Sequence, residues 1–163
     1  MLLLENERSF MKTTQVRVFV GFGILSIFAA TIFIVNRFTF DGIELRLRHN
    51  DPVFVSKGKV IYDENCASCH GINLKGQQNW RVRKEDDKLP APPHDETGHT
   101  WHHSGALLIE LTKQGLNAIA GPDYKTDMPA YENILSDEDI VAVLSYIKST
   151  WPEEIIKRHD RLE

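Results

Sequence analysis

Two cysteines and a histidine form the strongest chemical signal in this chain. Cys66, Ala67, Ser68, Cys69 and His70 make a CxxCH motif, which contains both cysteines of the 163-residue sequence. Two thiols three positions apart on one helical turn can bond both vinyl groups of a haem, while the next residue reaches the iron. The motif therefore predicts one covalently attached haem c, bound by Cys66, Cys69 and His70.

A CxxC pair also suits zinc or a dithiol redox couple. A zinc site would need two histidines, and either His94 with His99 or His99 with His103 has a suitable spacing. However, 24 residues separate Cys69 from His94, whereas the finger pattern has about 12 to 15. A thioredoxin-like dithiol would need a βαβ setting, and the apolar pattern here is helical. Haem is favoured, and a zinc-binding module stays as a distant alternative.

Three main helices are predicted to position these residues. Apolar residues recur at helical spacing before Cys66 and predict a first helix over about 52–66. Leucines at 107, 108 and 111 predict a middle helix that stops at Gly115. Ser136 and Asp139 resemble a capping box at the start of a third helix, which Pro152 ends. The predicted fold class is all-α.

Long loops join these helices, because residues 71–100 and 116–135 are rich in Gly, Pro, Asn and Asp. Long structureless loops are uncommon in a small compact domain. A central haem removes the difficulty, since loops can pack on a large apolar ligand. The acidic run at 85–87 is expected to be exposed.

Residues 53–151 resemble the class I cytochrome c family, which folds as about three helices and long loops around one haem. The family places a small glycine eight residues before the first cysteine, where it packs on an aromatic residue of the C-terminal helix. Gly58 and Tyr146 match these positions. Close approach of two helices requires such a small residue.

The resemblance also implies a methionine as the sixth iron ligand, on a loop before the last helix. The segment 127–131, Asp-Met-Pro-Ala-Tyr, matches this pattern and makes Met128 the candidate. Met1 and Met11 precede a predicted membrane span, which leaves Met128 as the one methionine after it. The predicted metal ligands are therefore His70 and Met128.

Histidines could compete with Met128 for the iron, and bis-histidine ligation would lower the potential relative to His/Met. Four lie close together, at His94, His99, His102 and His103. They fit three roles: hydrogen bonding around the haem edge, a secondary copper or zinc site, or a docking surface that responds to pH. The sequence favours the first role and leaves the other two open.

A loop proline near the proximal histidine is a further feature of the family. Its carbonyl can fix the His70 ring through the Nδ1 hydrogen, and the candidates are Pro90, Pro92 and Pro93. Nearby Arg81 and Arg83 either hydrogen-bond a haem propionate or are solvated.

A membrane anchor is predicted near the N-terminus, because residues 18–35 carry no charge. The run is longer than the apolar part of most cleaved signal peptides. Three basic residues flank it on each side, so charge leaves the orientation open. The resemblance implies haem attachment on the outer side of the bacterial cytoplasmic membrane. The predicted divisions are a cytoplasmic 1–17, a transmembrane signal anchor 18–36, a linker 37–52, a periplasmic haem domain 53–151 and a C-terminal tail 152–163, solvated or weakly docked.

These features predict a membrane-tethered electron carrier rather than an enzyme, since a six-coordinate iron has no position for substrate. Respiratory complexes, such as a quinol–cytochrome c reductase and a terminal oxidase, are the expected redox partners.

Residues 53–163 carry 13 Lys and Arg against 18 Asp and Glu, which disfavours nucleic acid as a partner. The alternatives are a fixed haem subunit of a larger oxidase or reductase, and a haem enzyme or gas sensor if Met128 is not a ligand.

Overall fold

The first helix, α1, spans Pro52–Asn65 in the computed structural model, which describes residues 45–163. The Asp51 carboxylate caps it by accepting hydrogen bonds from backbone N–H groups of the first turn, including that of Val53 at 2.9 Å. Pro52 occupies the first helical position, where an N–H would have no intrahelical partner. These local signals start the helix at the predicted residue.

All regular elements within residues 45–163 are helical, in agreement with the predicted fold class. The three predicted main helices are α1, α3 and α5, and shorter elements lie between and after them. Following α1, the elements are α2 (Ala67–His70), a 3-10 turn (Thr100–His102), α3 (Gly105–Gln114), α4 (Leu116–Ala120), α5 (Asp137–Ser149), α6 (Glu153–His159) and a second 3-10 turn (Asp160–Leu162).

Helices α1 and α5 cross at Gly58, which packs directly on the α5 backbone. A Cβ atom at Gly58 would lie 2.0 Å from the carbonyl oxygen of Ala142 and 2.8 Å from Cβ of Tyr146. The Tyr146 ring packs on the Tyr62 ring of α1, with 5.4 Å between the centroids. The predicted contact between Gly58 and the C-terminal helix is confirmed, and it leaves no room for a side chain.

Replacing Gly58 with alanine is expected to destabilise the domain. Alanine is favoured in a helix by about 1 kcal/mol, but the added methyl group forces α1 and α5 apart, and overpacking costs about 1–3 kcal/mol. The upper end of that cost applies, because the new Cβ would lie 2.0 Å from a backbone oxygen. We therefore expect a net loss of about 2 kcal/mol in the free energy of unfolding, measured by chemical denaturation. Val60→Ala, at an exposed position of the same helix, should change it by less than about 0.5 kcal/mol. Equal stability of G58A and the wild type would contradict the tight crossing.

Helices α3 and α5 have the ends that the sequence predicts. The Ser136 hydroxyl accepts a hydrogen bond from the Asp139 N–H at 3.2 Å, and the Asp139 carboxylate accepts one from the Ser136 N–H at 3.2 Å. This reciprocal pair is a capping box. Gly115 ends α3 with a φ of +85°, a conformation that glycine adopts without strain.

The sequence did not predict three local features of the chain outside the main helices. Helix α4 lies in a region predicted to be loop, and a 3-10 turn starts at Thr100. Residues 45–48, in the predicted linker, have no regular structure. The Arg48 N–H instead donates to the Ser145 hydroxyl at 2.7 Å, so this segment lies against α5.

The C-terminal tail is folded onto the domain, which corrects the expectation of a solvated or weakly docked extension. The His159 ring of α6 is fully buried and lies beside Trp151, with ring centroids 5.2 Å apart. The Lys148 ammonium, on a side chain only 3% exposed, lies 2.5 Å from Asp160 Oδ1 and 3.7 Å from Glu163 Oε1. Asp160 and Glu163 are therefore the counter-ions of a buried lysine.

Burial of His159 is expected to make the domain less stable in mild acid. Burial, assisted by the nearby Lys148 ammonium, lowers the pKa of His159 against the opposing effects of Glu163 and Asp160. Below about pH 6.5 the unfolded chain binds a proton that the folded chain does not, so stability falls as the pH falls. Between pH 7.5 and pH 5.5 the free energy of unfolding of the wild type should decrease. In His159→Phe this decrease should be smaller by about 1 kcal/mol.

The control for this prediction is His102→Phe, because His102 is exposed and stacks on Trp101. It should leave the pH dependence of unfolding close to that of the wild type. A H159F variant with the wild-type slope would show that His159 does not cause the acid sensitivity.

No helix within residues 45–163 is long and apolar enough to cross a membrane. The predicted anchor at 18–36 lies outside the residues that the structure describes.

Candidate haem site

An apolar cavity of about 320 Å³ lies between α3, α5 and the loops. Side chains of α3 and α5 form one part of its wall: Leu108, Leu111, Val143, Leu144 and Ile147. The volume falls in the range of small-molecule and cofactor pockets, which are mainly apolar with a few polar groups. The long loops complete the wall, as expected if they pack on a central ligand.

Both cysteines of the CxxCH motif line this cavity, together with His70. Helix α2 carries Cys69 and His70, and Cys66 is its N-cap residue. Burial raises the pKa of the Cys66 thiol to about 11, so the group is a neutral thiol at physiological pH. A reactive dithiol couple relies instead on a lowered thiol pKa, so the structure does not favour that alternative.

The His70 ring is fixed by the loop that follows it. Its Nδ1 atom lies 2.8 Å from the carbonyl oxygen of Pro92, which identifies Pro92 among the three candidate prolines. Nδ1 donates the proton, since a carbonyl only accepts, and Nε2 of the neutral ring keeps its lone pair. Burial lowers the pKa of His70, and the bond to Pro92 opposes this effect. The neutral ring is the form that binds a metal.

Met128 lines the same cavity from the loop between α4 and α5. Its backbone N–H donates to the Thr126 hydroxyl at 3.0 Å. Three residues later, the buried Tyr131 donates its hydroxyl proton to the Asn65 carbonyl at 2.8 Å, and its N–H donates to the Thr112 carbonyl at 3.0 Å. Tyr131 therefore fastens the Met128 loop to both α1 and α3.

Ion pairs tie the other side of the Met128 loop to residues 84–88. The carboxylate of Asp127 pairs with the ammonium groups of Lys84, at 3.5 Å, and Lys88. Lys125 and Asp87 form a longer pair at 4.0 Å. Exposed pairs contribute little individually, but several between the same two loops restrict their separation. The exposed acidic run is thus partly engaged with lysines rather than freely solvated.

The four clustered histidines separate into distinct environments. His94 stacks on the His70 ring, with centroids 4.0 Å apart, so it lies beside this ligand candidate. His99 stacks on Trp80 at 5.3 Å and meets the His103 ring edge-on at 5.5 Å. The remaining one, His102, stacks on Trp101 at 3.7 Å and does not line the cavity. Nothing in the spacing of the four histidines predicts these different environments.

Within residues 45–163, no group of three or more His, Cys, Asp or Glu side chains converges to hold a metal ion. A zinc module or a secondary copper site built from these histidines therefore has no support in the described geometry.

The nearby arginines are both exposed. Arg81 lies over the Trp80 ring at 3.9 Å, while Arg83 lies over the Tyr124 ring at 5.5 Å and bonds to the Asp87 carbonyl.

The residues of the cavity fit a covalently bound haem c. Two thiols, a neutral imidazole and a thioether all line one apolar cavity, and these are the attachment and axial groups of c-type haems. Sequence analysis identified Cys66, Cys69, His70 and Met128 but missed the supporting Tyr131 and His94. The position of Tyr131, three residues after the candidate ligand Met128, was the one feature of the sequence that could have indicated its supporting role.

Comparison with known proteins agrees with this geometry. A family model described as "Cytochrome c" matches residues 55–151. The chain is 34% identical over 107 residues to the Cbb3-type cytochrome c oxidase subunit CcoP of Azospirillum brasilense, a match that covers 64% of this chain and 31% of the relative. It is 33% identical over 94 residues to subunit FixP of Bradyrhizobium diazoefficiens, covering 58% and 27%. The matched region thus spans about three tenths of these relatives, and no solved structure is significantly similar.

Proposed function

Since this chain belongs to the cytochrome c family, we propose that it is a membrane-tethered electron-transfer protein with one haem c and His70 and Met128 as iron ligands. One observation carries the proposal: both thiols, the anchored His70 ring and Met128 line a single apolar cavity. Bound haem c supplies reversible one-electron chemistry. The protein's residues attach it, close its iron and keep water away.

Each candidate residue has a definite task in this proposal. Cys66 and Cys69 would hold the haem through two thioether bonds, each formed by addition of an S–H bond across a vinyl group, which needs no oxidant. His70 presents its Nε2 lone pair because Pro92 holds the proton on Nδ1. Met128 supplies a thioether, which favours ferrous iron and raises the potential.

Met128 is favoured over the histidines as the sixth ligand. His94 would not serve as the sixth ligand, because its ring is stacked beside that of His70, on the same side of the cavity as the other ligand candidate. His99 and His103 line the cavity but pack on Trp80 and on each other. If His70 and Met128 both held the haem iron, the bound group would supply one-electron transfer rather than the chemistry of a haem enzyme or gas sensor.

A terminal oxidase is the proposed electron acceptor, because relatives of this chain are named subunits of cbb3-type cytochrome c oxidases. A quinol–cytochrome c reductase is the proposed donor. The proposed location is the bacterial cytoplasmic membrane, with a single N-terminal helix as tether and the haem domain in the periplasm. A tether keeps the haem domain at a high local concentration near partners in the membrane, so the domain need not find them by diffusion in three dimensions.

A fixed subunit of the oxidase is the second candidate function, and the names of the relatives favour it. Native membranes solubilised in mild detergent and separated on a native gel distinguish the two. A fixed subunit would migrate with the oxidase in constant stoichiometry under haem staining. A carrier would migrate separately and would be captured by cross-linking in intact membranes.

The electron-transfer role itself is tested in the same membranes by a redox titration followed by quinol reduction. We expect one haem c signal that is reduced by quinol and reoxidised by oxygen through the oxidase. Denaturing gels should show haem stain on the 18.7 kDa chain. A chain without covalent haem, or a haem that oxygen does not reoxidise, would refute the proposal.

A further inference from the structure

His94 lies against the face of the proposed proximal ligand. Its ring and that of His70 are nearly parallel, at an interplanar angle of 23° with 4.0 Å between centroids. This separation is van der Waals contact. A rotation of the His70 ring out of its plane would therefore collide with His94 on that face.

Three hydrogen bonds to separate segments hold His94 itself. Its Nδ1 atom lies 2.9 Å from the Thr100 hydroxyl oxygen, and its backbone N–H donates to the Leu74 carbonyl at 2.8 Å. The His94 carbonyl accepts a hydrogen bond from the Trp151 indole N–H at 2.7 Å. Trp151 is 4% exposed and lies two residues after α5 ends at Ser149. His94 is thus a fixed wall rather than a mobile surface residue.

The hydrogen bond to Pro92 and the stack on His94 restrict the His70 ring in different ways. The bond holds Nδ1 and selects the tautomer, but a ring held at one atom can still tilt about that atom. The stacked ring of His94 blocks tilting toward one side. His94 is itself contacted by the Tyr62 ring, which meets the His94 ring edge-on with 6.2 Å between the centroids.

We propose that His94 is a positioning residue that sets the plane of the His70 imidazole and thereby tunes the iron. The inference rests on the proposed function, in that His70 must be an iron ligand. Groups outside the coordination sphere orient ligating histidines and adjust the metal through them. Most such groups act by hydrogen bonding at Nδ1, whereas His94 acts on the ring face.

Three variants separate the stack from other roles of His94. His94→Phe keeps an aromatic ring against His70 and removes the bond to Thr100. His94→Leu removes the ring, and Thr100→Val leaves both rings in place but removes the side-chain anchor of His94. The readout is the proton NMR spectrum of the ferric full-length protein, in which the shifts of the haem methyl groups depend on the plane of the axial histidine.

We expect H94F to keep the wild-type order of the methyl resonances and H94L to change it, with a smaller change in T100V. The midpoint potential should rise in both H94F and H94L, because each replaces a polar ring by an apolar group next to the ligand. The potential thus reports polarity, and the methyl order reports the ring plane.

A wild-type methyl order in H94L would overturn the inference, and so would equal changes in H94F and H94L. If H94L takes up no haem, an unchanged pattern in T100V overturns it. Failure of the proposed function has a different signature, since the wild-type protein itself would then lack covalent haem or the spectrum of a sulfur-ligated low-spin iron.

Discussion

Met128→Ala is expected to abolish sulfur ligation of the iron while leaving haem attachment intact. Cys66, Cys69 and His70 lie on α2 and its cap, whereas Met128 lies on a separate loop held by Tyr131. Loss of the thioether therefore leaves the attachment motif undisturbed. The haem stain on denaturing gels should equal that of the wild type.

The optical spectrum and the potential should change together in this variant. The weak ferric charge-transfer band of sulfur ligation is expected to disappear, and the ferrous iron should bind carbon monoxide strongly. The midpoint potential should fall by on the order of 0.1 V, within the roughly 0.8 V range that axial ligands set, because a thioether stabilises ferrous iron.

Glu132→Ala is the matched control, since this exposed residue of the same loop does not line the cavity and the change leaves the thioether in place. It should retain the band and the wild-type response to carbon monoxide. Survival of the band in M128A would mean that another group closes the iron. His99 and His103 would then be the next candidates, as they line the cavity.

The double variant Asp160→Asn with Glu163→Gln is expected to destabilise the domain by about 3 kcal/mol. It removes both carboxylates that face the Lys148 ammonium, on a side chain that is 3% exposed. Removing one partner of a buried ion pair costs about 3–5 kcal/mol, because the other charge stays buried without compensation. The lower end applies here, since the Asp160 side chain is 48% exposed and its charge is screened by water.

Lys148→Met provides the control for this prediction, because it removes the cation and keeps an apolar chain of similar length. Replacing the whole charged group by apolar atoms is often neutral or stabilising. The triple variant should therefore recover most of the unfolding free energy lost in the double variant, as measured by chemical denaturation. If the double variant were as stable as the wild type, the carboxylates would not be needed to compensate Lys148.

The main helices were predictable because their signals are local. A cap such as Ser136 acts on its own first turn, Gly115 ends a helix through its own backbone conformation, and apolar spacing marks the buried face. The tail was not predictable in this way. Its charges suggested solvation, and nothing near them in the sequence indicates that Lys148 is buried and needs Asp160 and Glu163.

In the candidate site, too, the features with local signals were predictable and those that depend on distant contacts were not. The attachment motif lies within five consecutive residues, so its spacing on one helical turn carries the chemistry, and Met128 is marked by its sequence context. Apart from the crossing at Gly58, which the family resemblance implied, contacts between distant segments were not encoded in any local pattern. Pro92 could not be chosen from three prolines until the loop was seen to place its carbonyl 2.8 Å from His70.

The sequence by itself therefore predicted the cofactor class, the helical fold and Cys66, Cys69 and His70 from residue type and short-range spacing, while the family resemblance added Met128. Tertiary structure alone decided which groups support them: Pro92 and His94 on His70, Tyr131 on the Met128 loop, and the tail on Lys148. These contacts join residues far apart in the chain, and their pairing depends on how the loops and helices pack together.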